Sequence, residues 1–419
     1  ILHFSLAQAQ SYASQNCYAI RNGLTDIATA KKKVWETTAI GLPQVSGNVT
    51  YQNLFNPIDV DFSGFFNNGG SSSSSKMGVI EMMPKSNTTF KLTASQLLFS
   101  GEYIVGLKAA RTYLDMSEQS LKKSELDTRE IVTNTYYQIV IMQRISEILR
   151  ANAGLMDKTL NDYKEMLKVG MAEETSIDQL RINKTDLDNR LSQTMRGIEI
   201  LGKLLKFQMG VDINHQIALS DSVETFIKQA MFPLMSTERF KVQEYIDSKI
   251  LQTNEKASVL QIRRAESRYL PVLSAVYLHQ VLARSPLFNT TPPNILGISL
   301  DVPIFSSGMR STQVSQAKLQ LEKARTTRFQ AEQGLELDFQ QTRDNMITSY
   351  NKMMNLKDNE VLTQKVYDIT LSKFNQGTAS SFELTQAQSQ YLQTEMSYYN
   401  SVLEVLNLKT RLEKYLTGN

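Results

Sequence analysis

Leu296-Gly297-Ile298-Ser299-Leu300-Asp301-Val302, running straight into Pro303-Ile304-Phe305-Ser306-Ser307-Gly308, is the stretch that decides the fold. Leu296, Ile298, Leu300 and Val302 alternate with Gly297, Ser299 and Asp301. A period of two with one apolar face is the pattern of a strand, because successive side chains point to opposite sides. After Pro303 no proline occurs as far as Asn419, a run of 116 residues rich in Leu, Gln, Glu, Lys, Arg, Ala and Met. Proline removes a helical donor and clashes with the preceding turn, so its absence among good helix formers permits a very long helix.

The same grammar extends outward. Val272 to Leu282 is strand-like, though its alternation is poor, and the polar stretch from Ala283 through Pro286 to Pro293 joins it to the strand above. Near the start of the chain, Val45, Gly47, Val49 and Tyr51 alternate with Ser46, Asn48, Thr50 and Gln52; Phe90, Leu92 and Ala94 alternate with Lys91, Thr93 and Ser95. Between these two segments lie Asn67-Asn68-Gly69-Gly70 and Ser71 to Ser75, expected to form a solvated flexible loop. Phe62, Phe65 and Phe66 just before it either line an interfacial aromatic girdle or fold over a mouth. A second proline-free run covers the 148 residues from Lys85 to Phe232.

Within these runs the apolar spacing is helical. Leu107, Leu114 and Leu121 recur at seven; Leu180, Leu187, Leu191, Ile198, Leu201 and Leu205 recur at threes, fours and sevens. Leu384, Tyr391, Tyr398, Val402, Val405, Leu408 and Leu412 do the same, the stripe of a helix packed along a partner much as in a coiled coil. From Phe99 to Gly170 a continuous helix would measure about 105 Å at 1.5 Å per residue, the length of a rod or tunnel wall.

The chain also repeats itself. Leu42-Pro43 aligns with Leu270-Pro271 at an offset of 228; Leu98-Phe99-Ser100-Gly101 aligns with Ile304-Phe305-Ser306-Ser307-Gly308 at 206. Lys168-Val169-Gly170 matches Asn375-Gln376-Gly377 at 207, and Phe207 to Gly210 matches Tyr415 to Gly418 at 208. Four ordered anchors define two tandem copies of helix, hairpin, long helix, turn and helix. The reading divides the chain into a first repeat over 1–210, with strands about 44–55 and 88–98 and a helical tip near 170. A linker follows over 211–236, then a second repeat over 237–419, with strands about 272–282 and 295–303 and a tip near 377.

Composition excludes several classes. With 45 basic and 42 acidic residues there is no electrostatic call for a nucleic-acid partner. A single cysteine, Cys17, forms no disulfide framework, and His3, His215 and His279 lack metal-ligand spacing. No nucleophile–base pair or phosphate-cradling glycine loop stands out, so neither catalysis nor a cofactor is expected. No segment reaches the ~18 apolar residues of a membrane helix. The sequence does not open with a basic segment and an apolar core, so any export signal is expected to have been removed already. Membrane insertion therefore falls to the strands, and only a closed barrel satisfies their backbone groups in lipid. Four strands cannot close where even small bacterial barrels have about eight. Pooling three chains gives a twelve-stranded barrel, and side-by-side assembly also buries the helical stripes. The fold expected is mainly α with a membrane β-barrel: long coiled-coil helices plus four strands per chain, forming barrel and helical tunnel in a homotrimer.

These features resemble the TolC-like outer membrane efflux protein family over essentially the whole chain. The carriers are Leu42-Pro43 and Leu270-Pro271, Val302 to Gly308, Lys168-Val169-Gly170 and Phe374-Asn375-Gln376-Gly377-Thr378. The resemblance implies a bacterial outer-membrane barrel continuing into a periplasmic tunnel, with the segment from Val211 to Ser236 joining the chain end in an equatorial collar. It implies that the tips at Gly170 and Gly377, with Val169 and Thr378, meet the hairpins of a periplasmic adaptor. It further implies an acidic periplasmic gate near Glu383, where the position three residues on is Gln386 rather than an acid, with Asp178 as a looser counterpart in the first repeat. On the strand pattern, Asp301 and Lys91 occupy polar faces and are expected to face a water-filled lumen. The function expected is a passive exit channel of a tripartite efflux or type I secretion system. Its energy would come from an inner-membrane RND, ABC or MFS pump. A periplasmic adaptor and a structural trimeric coiled-coil fibre are the alternatives.

Overall fold

A computed structural model describes residues 2–55, 59–61, 79–81, 84–170, 173–231, 240–284 and 292–417. Its elements in order are β1 (Leu2–Phe4), α1 (Leu6–Asn16), α2 (Tyr18–Ala39), β2 (Gln44–Asn53), β3 (Asp59–Asp61), β4 (Val79–Glu81), β5 (Ser86–Phe99), α3 (Gly101–Lys168) and α4 (Glu174–Met209). Then come β6 (Ile217–Leu219), α5 (Val223–Met231), a 3-10 turn at Val242–Glu244, α6 (Ile246–Ser267), β7 (Val272–Leu282), β8 (Asn294–Asp301), α7 (Met309–Asn375) and α8 (Ser381–Thr417). The chain is mainly helical with few strands. Phe62, Phe65, Phe66 and the serine run lie outside the described residues.

The residues separate into two compact units that cut across the sequence repeats. One comprises 28–115 with 253–325; the other comprises 1–27, 116–252 and 326–419. Each repeat thus contributes strands to the first unit and helices to the second.

The first unit is organised by one four-stranded antiparallel sheet in the order β2-β5-β7-β8. Val45 stands opposite Ala94, Val49 opposite Phe90, and Tyr51 opposite Thr88. Ala94 stands opposite Tyr277, which stands opposite Leu296; Ala275 faces Ile298 and Leu273 faces Leu300. Directly opposed residues share a face, so Val45, Val49, Tyr51, Phe90, Leu92, Tyr277, Leu296, Ile298 and Leu300 form one apolar face. The reverse face carries Ser46, Asn48, Thr50, Lys91, Thr93, Gln280, Ser299 and Asp301, with Val276 and Leu278 among them. With Val272 and Leu282, these put four apolar residues of β7 on the polar side, which is why β7 alternates poorly. β5 runs longer than its alternation suggests, because a bulge at Leu98, between Leu97 and Phe99, resets its parity. Below the sheet, Arg264 on α6 bridges to Glu102 on α3 at 2.8 Å.

The second unit is a helical bundle. Between Val132 and Leu160, α3 buries Tyr136, Tyr137, Ile139, Val140, Ile141, Ile148 and Leu149 and leaves one exposed stripe at Gln143, Glu147, Arg150, Gly154 and Asp157. Leu180, Leu187 and Leu205 on α4 and Leu384, Val402, Val405 and Leu412 on α8 pack against it, the predicted stripes. Phe226 on α5 meets Tyr137 edge-on at 4.8 Å. The start of the chain enters this bundle unexpectedly: β1 pairs in parallel with β6, and the Tyr136 hydroxyl donates to the Phe4 carbonyl at 3.0 Å. Cys17 is buried beside Thr128. At the far end of the chain, Lys414 reaches Asp127 at 2.6 Å and Glu130 at 2.7 Å, tying α8 to α3.

Candidate functional site

Two regions carry the residues singled out from sequence. In the sheet unit, Lys91 and Asp301 both lie exposed on the polar face, on β5 and at the end of β8. Among the described residues neither has an ion-pair partner. The opposite face is strongly apolar: Leu296 is 78% and Ile298 74% exposed. Toward the loop end of that face, Asn294 Oδ1 accepts from the Tyr277 hydroxyl at 2.9 Å and lies 2.7 Å from His279 Nδ1. This small polar cluster at the rim of an apolar face went unread in the sequence. His279 and Asn294 lie on different strands of a hairpin, so no local spacing announces the pair.

In the helical unit both tips end alike. Gly377 has φ 71°, and the Gly377 and Thr378 amides donate to the carbonyls of Phe374 and Lys373, each at 2.9 Å. This pair of bonds closes a helix only when the residue at the glycine position is left-handed, which glycine adopts without a side-chain penalty. Gly170, φ 74°, makes the corresponding bond at the end of α3, its amide donating to the Leu167 carbonyl at 3.0 Å, and Val169 beside it is exposed. Thr378 is exposed, its hydroxyl donating back to the Lys373 carbonyl at 3.0 Å. The helices behind the tips are clamped together. Tyr163 on α3 stacks on Phe374 of α7 at 4.3 Å, Ser381 Oγ donates to Gln179 Oε1 at 2.8 Å, and Asn183 bonds Gln388 at 2.8 Å. The structure thus brings the two turns to one end of the bundle.

The gate candidates have local partners. Glu383 accepts from the Ser380 amide at 2.7 Å while Ser380 Oγ accepts from the Glu383 amide at 3.2 Å, a reciprocal cap on the first turn of α8. Those bonds hold the Glu383 carboxyl below its ordinary value, the backbone bond first. Asp178 pairs with Arg181 at 3.2 Å along α4, and Gln386 is exposed. Ser380 and Glu383 are spaced as a capping box, a signal present in the sequence.

Deeper in the bundle, Glu395 is 5% exposed and its Oε2 atom has no partner. Burial pushes its carboxyl up, as does nearby Glu360, while Tyr391 and Arg144 oppose. Burial likewise raises Glu360, and pushes Tyr367, stacked on Tyr391, up to about 12. Among the described residues no group of His, Cys, Asp and Glu could hold a metal ion, and no helix is long and apolar enough to cross a membrane.

A long-helix bundle joined to a short two-faced antiparallel sheet defines the fold class of the outer-membrane channel subunits. The chain superposes on CusC, solved in work on its folding and transmembrane channel formation, with a TM-score of 0.77 and 13% identity over 99% of this chain and 92% of that one. It matches the CmeC outer membrane channel of Campylobacter jejuni at 0.76, 16% identity, 99% and 85% coverage. The open MtrE outer membrane channel of Neisseria gonorrhoeae matches at 0.73, 12% identity, 99% and 89% coverage. At such identities the likeness carries the fold. The outer membrane efflux protein family model matches residues 252–418. The family match is thus confined to the second half of the chain, while the likeness in fold runs over nearly all of it. No curated protein sequence matches it.

Proposed function

We propose that this chain is one of three identical subunits of an outer-membrane efflux channel. Their twelve strands would close a barrel around an aqueous lumen, and their helices would line a passage through the periplasm. The channel is a passive conduit: an adaptor docks at the Gly170 and Gly377 turns, and an inner-membrane pump of the RND, ABC or MFS type supplies the energy. Bare backbone at a side-chain-free turn suits end-to-end docking of helical hairpins. The family and the channels that share the fold support the outer-membrane location and the efflux role.

One observation carries the reading. The sheet gathers most of its apolar residues on one face and its polar residues on the other, and among the described residues the outer edges of β2 and β8 have no strand partner. In water that arrangement is costly on two counts, exposed apolar area and free strand edges. In lipid, with neighbouring copies on both edges, both costs vanish. The test is fractionation followed by gel analysis and planar-bilayer recording. A boiling-sensitive trimer in the outer-membrane fraction that conducts ions is the expected result. A water-soluble monomer without conductance overturns it.

A further inference from the structure

The two free edges are related by the chain's own internal symmetry, and that symmetry fixes how a second copy must fill them. The hairpins β2–β5 and β7–β8 have one register in common. Shift the first strand by 228 residues and the second by 206, and Gln44 opposite Ser95 becomes Val272 opposite Asp301; Asn48 opposite Lys91 becomes Val276 opposite Gly297. These are the same offsets that the Pro43/Pro271 and Phe99/Phe305 anchors give. The remaining pairing, β5 on β7, joins the end of one repeat to the start of the next. It has no counterpart within the chain. Its counterpart is β8 of one copy on β2 of another.

Carrying the β5–β7 register across by these offsets turns Ser95 opposite Val276 into Asp301 opposite Asn48. Ala94 opposite Tyr277 becomes Leu300 opposite Val49, and Leu92 opposite His279 becomes Ile298 opposite Tyr51. The bulge residue Leu98 becomes Ile304, and Phe99 opposite Leu273 becomes Phe305 opposite Val45. We propose that a second copy of this chain adds its β2 antiparallel to β8 in this register, with Ile304 as the bulge. In that register Asp301 reaches the second copy's Lys91 across Asn48. The inference rests on the multi-copy channel proposed above.

Three observations that played no part in the derivation agree with it. The register sets Leu300, Ile298 and Phe305 beside Val49, Tyr51 and Val45, apolar on apolar along one face. A slip of one residue would put every one of them against the polar face. Exposure agrees as well: Phe305 is 83% exposed, whereas Phe99, its equivalent at the junction already filled within the chain, is 39% exposed. The missing neighbour accounts for the difference. Charge agrees too. Along the polar face the row reads Asp301, then Asn48, then Lys91, because Asn48 and Lys91 are already opposite each other within one chain. Two strand spacings make about 10 Å, a gap that the long lysine stem and the aspartate side chain can close.

The test is cysteine cross-linking of the full chain in outer membranes, in a Cys17→Ser background. The pair Asn48→Cys with Asp301→Cys is compared with Ser46→Cys/Asp301→Cys and Thr50→Cys/Asp301→Cys, each oxidised with copper phenanthroline. Directly opposed positions lie about 5 Å apart and the neighbours one register step away about 7–8 Å. The first pair should therefore give on the order of tenfold more covalent oligomer. If that double variant fails to assemble, Val49→Cys/Leu300→Cys reads the same register from the other face. Preferred linkage through Ser46 or Thr50 in an intact trimer overturns the register and leaves the channel reading standing. Absence of any trimer in the unoxidised parent overturns the channel reading itself. For the charged row, Lys91→Asp should lower the temperature at which the trimer dissociates, and adding Asp301→Lys should restore most of the loss. No restoration removes the Lys91–Asp301 pair.

Discussion

The two units of this chain place their apolar residues in opposite ways. In the bundle, Tyr136, Leu149, Leu180, Leu205 and Val402 are fully buried. In the sheet, Val45, Val49, Leu296, Ile298 and Leu300 lie exposed while Asn48, Thr93 and Ser299 hold the other face. Burial is favourable wherever a partner exists. The bundle supplies its own partners; in the proposed channel, lipid and further copies would supply those of the sheet. A surface that would be a liability in a soluble domain is thus the part of the molecule that specifies its surroundings.

The contrast can be broken by matched substitutions. Leu149→Ala in the bundle should cost about 2–5 kcal/mol, since it empties a site with no solvent access. It is read as a lower unfolding midpoint in urea. Ile298→Arg should cost about 2–4 kcal/mol if the outward face meets hydrocarbon, and almost nothing if it meets water. The heat stability of the membrane-extracted oligomer distinguishes the two, and an unchanged value would mean that the sheet is no membrane wall.

Next in size is a pH effect. Glu395 has an ordinary value of 4.5 unfolded and a raised one folded. Between those values the folded chain holds a proton that the unfolded chain has released, so stability falls as pH rises through that window. Thermal melts from pH 4.5 to 7.5 should show the loss, and Glu395→Gln should flatten that part of the profile while stabilising the protein at neutral pH. Smallest is the cap on α8: Ser380→Ala should cost about 1 kcal/mol, measured as a shift in the same melts. Glu383→Gln keeps a side chain able to cap and removes only the charge. A reduced cation preference in planar bilayers places Glu383 at the gate, and an unchanged current–voltage curve across pH removes it.

Much of the fold was legible because two periods, two and three-and-a-half, are written over long stretches. Val45 to Tyr51 and Leu296 to Val302 announce strands, and the proline-free runs announce helices of 68 and 67 residues. Three-residue β1 and β6 left no trace, being too short for any period to show. β5 extended past its alternation because a bulge erases parity where it occurs. In the bundle, Glu395 looks like any surface carboxylate, since its neighbours Arg144 and Glu360 come from other helices and no local pattern encodes that. The Ser380–Glu383 box was readable at its spacing of three; attention to the charge hid the cap.

The buried amides behind the tips have a mechanical consequence. Gln388 takes a bond from Asn183 on one side and gives one to Asn152 on the other, at 2.8 and 3.4 Å, linking α4, α8 and α3. An amide cannot trade its bonds gradually: a longitudinal creep of one helix along another would strand all three groups in a dry interior before new mates came within reach. Because amides do not titrate, acidity does not loosen this latch. With the Tyr163–Phe374 stack nearer the turns, it opposes the telescoping of one helix along its neighbours at this end of the bundle.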